Sequence, residues 1–176
     1  EADVLIYQFG IHNAFDLLTV DQTALCVTPF HESASRLKEM ARGDNPRGTI
    51  GTGVGEAYRY AQKYPDLTIR ARDLLRLDLK DLLANIREQI HRDLEPILKG
   101  EFLPSDREAV EEEVVRLNND GFLDHIVGRF REVSKRAKIV DHDYLEREIL
   151  SQDGVAVVES SHGVLTDHYH GFYPHV

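Results

Sequence analysis

Leu79, Leu82, Leu83, Ile86, Ile90 and Leu94 recur at three- and four-residue steps, the spacing of one face of an α-helix. So apolar a face has to be covered, and this stretch predicts a long helix packed against others. Pro96 is expected to end or kink it. Ser105 followed by Glu108 has the form of a capping box, with Val110, Val114 and Leu117 continuing an apolar face behind it. Asn118-Asn119-Asp120-Gly121 is a stop. Leu123, Ile126, Val127, Phe130, Val133 and Ala137 then make a third amphipathic helix, and a shorter one runs from Asp143 to Ser151.

The flanks have a different character. Residues 4–9 and 24–30 are short apolar runs that read as buried strands. A helix is expected from His31 to Arg42, ended by Gly43, and another from Glu56 to Tyr64, stopped before Pro65. The run 155-VAVVE-159 lacks polar alternation, as a strand buried on both faces of a parallel sheet would. This order predicts an α/β fold, part of a mainly parallel sheet with a helical insertion. The expected division is an α/β part over 1–73, a helical sub-domain over 74–151, and a return strand with a ligand-facing loop over 152–176. The chain opens almost directly into an apolar run and stops at 172-FYPHV-176, which reads as an interior window of a longer protein.

Charge narrows the function classes. Lys and Arg number 21 against 31 Asp and Glu, a formal net charge of -10. Nucleic acid and anionic membrane both require a basic surface, so neither is an expected partner. A small anionic substrate remains compatible, because a pocket can be locally positive on an acidic protein. No apolar run reaches the roughly eighteen residues of a membrane span. The N-terminal stretch lacks the basic flank and apolar core of a signal peptide. Cys26 is the lone cysteine, so no disulfide can form within the chain, which fits a reducing compartment or simple indifference.

The stretch 43-GDNPRGTIGTGVGEAY-58 holds five of the chain's 12 glycines. Residues without a Cβ let backbone N–H groups crowd toward one point, and a helix beginning after them adds its own. Thr49 and Thr52 supply hydroxyls. The pattern is neither a Walker A loop nor G-x-G-x-x-G. Two readings stay open on spacing alone: a phosphate or nucleotide cradle, or a conformationally demanding turn. The last stretch carries His162, His168, His170 and His175 with Asp167. It reads as a polar ligand-facing loop, with zinc or another divalent metal as the alternative. Asp141 and Asp143 serve as helix-start caps, and Ser161, His162 and Asp167 lack a nucleophile elbow.

The stretch 30-FHESASRLKEMARGDNPRGTIGTGVGEAY-58 resembles the helix and loop of adenylosuccinate synthetases, which read Y-H, a helix ending A-R-G, then G-T-T-x-x-G-I-G-P-A-Y. Farther on, 70-RARDLL-75 is similar to that family's R-x-G-D-L, and 159-ESSHGVLTDHYHGFYPHV-176 to its E-G-A-Q-G-T-L-L-D-x-D-H-G-T-Y-P-x-V. The three blocks occur in order. The resemblance implies a P-loop-NTPase-like α/β fold and a cytoplasmic GTP-dependent ligase that joins aspartate to IMP in purine biosynthesis. It implies Mg2+, and a homodimer in which an arginine crosses to the partner's nucleotide. Thr49, Ile50, Gly51, Thr52 and Gly53 would form the 5′-phosphate loop. The spacing between Tyr58 and Asp73 does not place the crossing arginine; Lys63, Arg70 and Arg72 are its candidates, of which Arg70 matches an arginine of the family's motif, and His162 and Gly163 would face the base or ribose. Ile50 stands where the family has its second threonine, Glu56 where it has proline, and His162 where it has glutamine. The family's G-D-E-G-K-G loop has no counterpart here, so the catalytic and GTP-binding residues are expected outside this chain. No residue in it is assigned as catalytic or as a metal ligand. The departures keep two alternatives: a relative with a different acceptor, and a non-catalytic nucleotide-binding homologue. A metal-binding protein built on the terminal histidines is the third reading.

Overall fold

The apolar face at 79–94 folds as expected, and the first unit is built around it. A computed structural model describes residues 2–159; a first compact unit ends at His142 and a second begins at Asp143. The first unit holds α1 (Ala2–Phe9), β1 (Thr19–Asp21), α2 (Pro29–Met40), α3 (Val54–Lys63), α4 (Leu79–Leu98), α5 (Arg107–Asn118), α6 (Gly121–Arg136) and β2 (Lys138–Val140). Leu79, Leu83, Ile86, Ile90 and Leu94 of α4 are fully buried. They join Phe30, Ala34 and Leu37 of α2, Tyr60 of α3, Leu117 of α5, and Leu123, Ile126 and Val127 of α6. Helix α2 packs on α3, α4 and α5, and α6 packs on α4.

Several boundaries differ from the sequence expectation. Pro96 lies inside α4, which runs on to Leu98. Its missing N–H falls in the last turn, where little ladder remains to be broken. The Ser105–Glu108 capping box does not form: Ser105 Oγ donates to Asp106 Oδ1 at 3.1 Å, and a 3-10 turn over Pro104–Asp106 precedes α5. Residues 4–9 belong to helix α1 rather than to a strand. An apolar run without a period does not choose between the two, and Asp3 in the first turn favours the helix. The 24–30 run is not a strand either. Leu25 makes one antiparallel bridge to Arg70, and Thr28 then opens α2. Residues 155–159 carry no strand; Val155, Val157 and Val158 are exposed.

Parallel pairing does occur, between segments that no apolar run marks. Thr19, Val20 and Asp21 pair with Lys138, Ile139 and Val140. Such a ladder needs a crossover, and here α2 to α6 supply it. Among the described residues the sheet has these two strands, a mixed helical fold with a small parallel sheet. In the second unit, Leu145–Leu150 forms a π-helical turn. No described helix is long and apolar enough to cross a membrane.

Helix α4 organises the first unit, so truncating its centre should weaken the whole. Ile86→Ala is expected to lower unfolding free energy by about 2–5 kcal/mol in a urea titration. Leu77→Ala, at a side chain 97% exposed, should change it by less than about 0.5 kcal/mol. Equal effects would contradict this placement of the core.

Candidate anion-binding site

The first turn of α2 is fixed by a reciprocal cap. Thr28 is extended, with φ -108° and ψ 157°, and Pro29 follows at the first helical position. The His31 N–H donates to Thr28 Oγ1, and the Thr28 N–H donates to His31 Nδ1 at 3.1 Å. Histidine thus does the work usually given to Glu or Gln in a capping box. Donation to Nδ1 assigns the proton of the neutral ring to Nε2. That nitrogen is buried and lacks a hydrogen-bond partner among the described residues. The Tyr60 ring stands edge-on, 5.5 Å between centroids. Burial, above all, pushes the His31 pKa down to about 4; the Glu56 charge raises it in part, and Lys38 lowers it.

The loop from 43 to 53 returns onto this turn. Gly53 caps α3 at φ 77°, and a Cβ there would stand 2.6 Å from the Glu32 nitrogen. Only glycine fits so close to a neighbouring backbone. Beginning α3 here sets Glu56, 1% exposed, between Lys38 of α2 and Arg59 of α3. Lys38 Nζ lies 2.7 Å from Glu56 Oε2, and Arg59 bonds the other oxygen. Burial acts to raise the Glu56 pKa, but these two cations outweigh it and hold the carboxyl below its ordinary range. On the α5 side, Glu113 accepts from Ser33 Oγ at 2.6 Å and Arg36 Nη1 at 2.8 Å.

Between α2, α3 and the loop lies a cleft of about 270 Å³, lined by Ser35, Lys38, Glu39, Arg42, Arg47, Thr49, Glu56 and Arg59. Four cations face two carboxylates, so the cleft is locally positive on a chain of net charge -10. Gly48, at φ 75°, turns successive amides toward one side. The Gly48 and Thr49 N–H groups both donate to Glu39 Oε1, at 2.6 and 3.3 Å. Arg42 Nε lies 3.6 Å from Glu39 Oε2. Burial acts to raise the Glu39 pKa; the loop amides and Arg42 reverse it, leaving the carboxyl below its ordinary range.

Thr49 is the expected loop residue that lines this cleft. Ile50 and Gly51 line a neighbouring groove with Arg36, Met40 and Glu113, and Ile50 is 90% exposed. Thr52 is exposed and Gly53 is buried under α2. Arg70 is not part of the lining; its Nη1 donates to the Thr23 carbonyl at 2.6 Å. Lys63 lies 3.5 Å from Asp93. His162 and Gly163, and Asp167, His168, His170 and His175, lie outside the described residues. Lys38, Glu39, Arg42, Arg47 and Arg59 were not singled out from sequence. Positions 35, 38, 39 and 42 share one helix face, and that spacing was the available signal.

The buried histidine gives a pH signature. In the unfolded chain a histidine binds its proton near pH 6.5, whereas folded His31 does so near 4. Its contribution is complete above the unfolded value and is lost as pH falls toward the folded one. Between pH 7 and 5 the protein should lose about 2 kcal/mol of stability through this group. His31→Gln keeps a capping side chain and should show a correspondingly smaller drop by calorimetry; an unchanged drop would contradict the assignment.

The chain is 28% identical over 170 residues to an adenylosuccinate synthetase of Clostridium beijerinckii, a match covering 95% of this chain and 35% of the relative. It is 30% identical over 169 residues to the organellar chromatophore adenylosuccinate synthetase of Paulinella chromatophora, covering 94% and 35%. A Streptococcus sanguinis adenylosuccinate synthetase matches at 28% over 163 residues, covering 92% and 34%. The chain thus spans about a third of the length of the curated relatives it matches. The family model for adenylosuccinate synthetase matches residues 3–176, nearly the whole sequence. This chain belongs to the adenylosuccinate synthetase family.

Proposed function

We propose that this chain is the nucleotide-phosphate-binding portion of a purine-biosynthetic ligase that joins aspartate to IMP at the expense of GTP. The observation that carries the reading is the convergence of the Gly48 and Thr49 amides on an anion, beside a cleft lined by Lys38, Arg42, Arg47 and Arg59. An arrangement that binds a carboxylate through backbone N–H groups suits a phosphate oxygen equally well. In the family's reaction the γ-phosphoryl group of GTP passes to the 6-oxygen of the base. The aspartate amine then attacks the ring carbon that bears this oxygen, and the C–O bond breaks so that the oxygen leaves with the phosphate. In this reading the chain holds the 5′-phosphate and so fixes where the base lies.

The two-stranded parallel ladder then belongs to the mainly parallel sheet of a P-loop-NTPase-like fold. Mg2+ and GTP enter as the family's cation and co-substrate, and a homodimer as its working unit. Among the described residues no trio of His, Cys, Asp or Glu is arranged to hold a metal. Thr49, Gly51, Thr52 and Gly53 belong to the loop through their backbone, and Ile50 contributes an amide but no hydroxyl. Arg70 is a candidate for substrate binding, and His162 and Gly163 are the base-facing residues of this reading. Ile50 also favours a second reading, a homologue that binds nucleotide without turning it over.

The test is phosphate release from GTP by the full-length protein with Mg2+, alongside IMP binding by calorimetry. The ligase reading expects release only when IMP and aspartate are both present. The second reading expects IMP binding without release. Either way, Arg42→Ala combined with Arg47→Ala should weaken IMP binding about tenfold or more. Unchanged binding would contradict the placement of the phosphate in this cleft.

A further inference from the structure

Glu39 already fills the position that the phosphate reading assigns to its ligand. Its Oε1 accepts from Gly48 and Thr49 at 2.6 and 3.3 Å, and the Arg47 amide adds to the same field. Its Oε2 faces Arg42 Nε at 3.6 Å. A carboxylate and a phosphate oxygen ask the same things of a site: positive potential and several converging donors. Two anions cannot share one set of amides, because the donors that stabilise the first leave the second facing its charge. Glu39 is half-buried, its side chain 18% exposed. It lines the cleft with Ser35 and Lys38 of α2 and with Arg42 just beyond that helix, so a rotamer change would carry its carboxylate away from the loop without moving the helix. Glu56 differs. It is buried between Lys38 and Arg59, so it has no comparable freedom and its charge is already met.

We propose that Glu39 is a built-in competitor for the anion of this site: its carboxylate holds the loop amides in register until a phosphate displaces it. The proposal rests on the phosphate reading of the 43–53 loop. Two effects follow. The loop is kept near its binding shape in the empty protein, which spares ordering cost when ligand arrives. The apparent affinity is reduced by the fraction of molecules in which Glu39 has swung away. Neutralising the side chain should therefore tighten phosphate binding, although a residue that merely braces the loop would weaken it when altered.

Calorimetry of the full-length protein with IMP, inosine and inorganic phosphate tests this, comparing wild type with Glu39→Gln. The amide keeps the length and an acceptor oxygen but removes the charge. The proposal expects IMP and inorganic phosphate to bind about tenfold more tightly to the variant, with inosine unchanged. Hydrogen exchange at Gly48 and Thr49 should be faster in the empty variant, as the charge-assisted bonds weaken. IMP binding that is equal or weaker in a variant of unchanged melting midpoint overturns the competitor while leaving the phosphate site standing. Tighter inorganic phosphate without any IMP binding supports the competitor and sinks the purine-nucleotide reading. Absence of binding to either protein by both anions overturns the two together.

Discussion

Gly53 approaches the first turn of α2 so closely that a Cβ would stand 2.7 Å from the His31 carbonyl carbon. The site depends on that contact. It fixes where α3 begins relative to α2, and the start of α3 fixes Glu56. Glu56 in turn ties Lys38 and Arg59 across the base of the cleft. The Thr28–His31 cap holds the other partner in the contact, because the turn that Gly53 rests on is the one the cap closes. A tight backbone approach thus becomes an arrangement of charges three residues beyond the end of the loop.

Buried and half-buried carboxylates repeat this theme at each face of the helix set. Glu113 links α5 to Ser33 and Arg36 of α2. Asp93 on α4 accepts from the hydroxyls of Tyr60 and Tyr64 at 2.8 and 3.0 Å, and so ties α3 to α4. Apolar burial along α4 supplies the bulk of the stabilisation, since it removes the most surface from water. The carboxylates add direction. Each is costly to bury alone, so each penalises any arrangement that separates it from its donors. Glu39 is the carboxylate of this set whose donors include loop amides, and it lines the cleft.

The sequence showed the helices that have a period. Helices α4, α5 and α6 were legible from apolar residues at three- and four-residue steps. The short runs at 4–9, 24–30 and 155–159 were misread, because an apolar run without alternation takes its form from its neighbours. The start of α2 is legible in sequence: Thr28 followed by Pro29 is a helix entry, and only the apolar residues before it argue for a strand. The β1–β2 pairing joins Thr-Val-Asp to Lys-Ile-Val across the whole helical segment, and neither tripeptide announces a partner. At the site, the glycine spacing announced an unusual loop, but its amides meet Glu39 only because the loop folds back on α2. Glu56 reads in sequence as an ordinary first-turn acid, and its burial is a tertiary fact.

A crystal structure of the full-length protein with IMP bound tests the central claim most directly. The account predicts a phosphate oxygen about 3 Å from the amide nitrogens of Gly48 and Thr49, with the Glu39 carboxylate turned away from them. A phosphate bound elsewhere, with Glu39 still bonded to both amides, would contradict it.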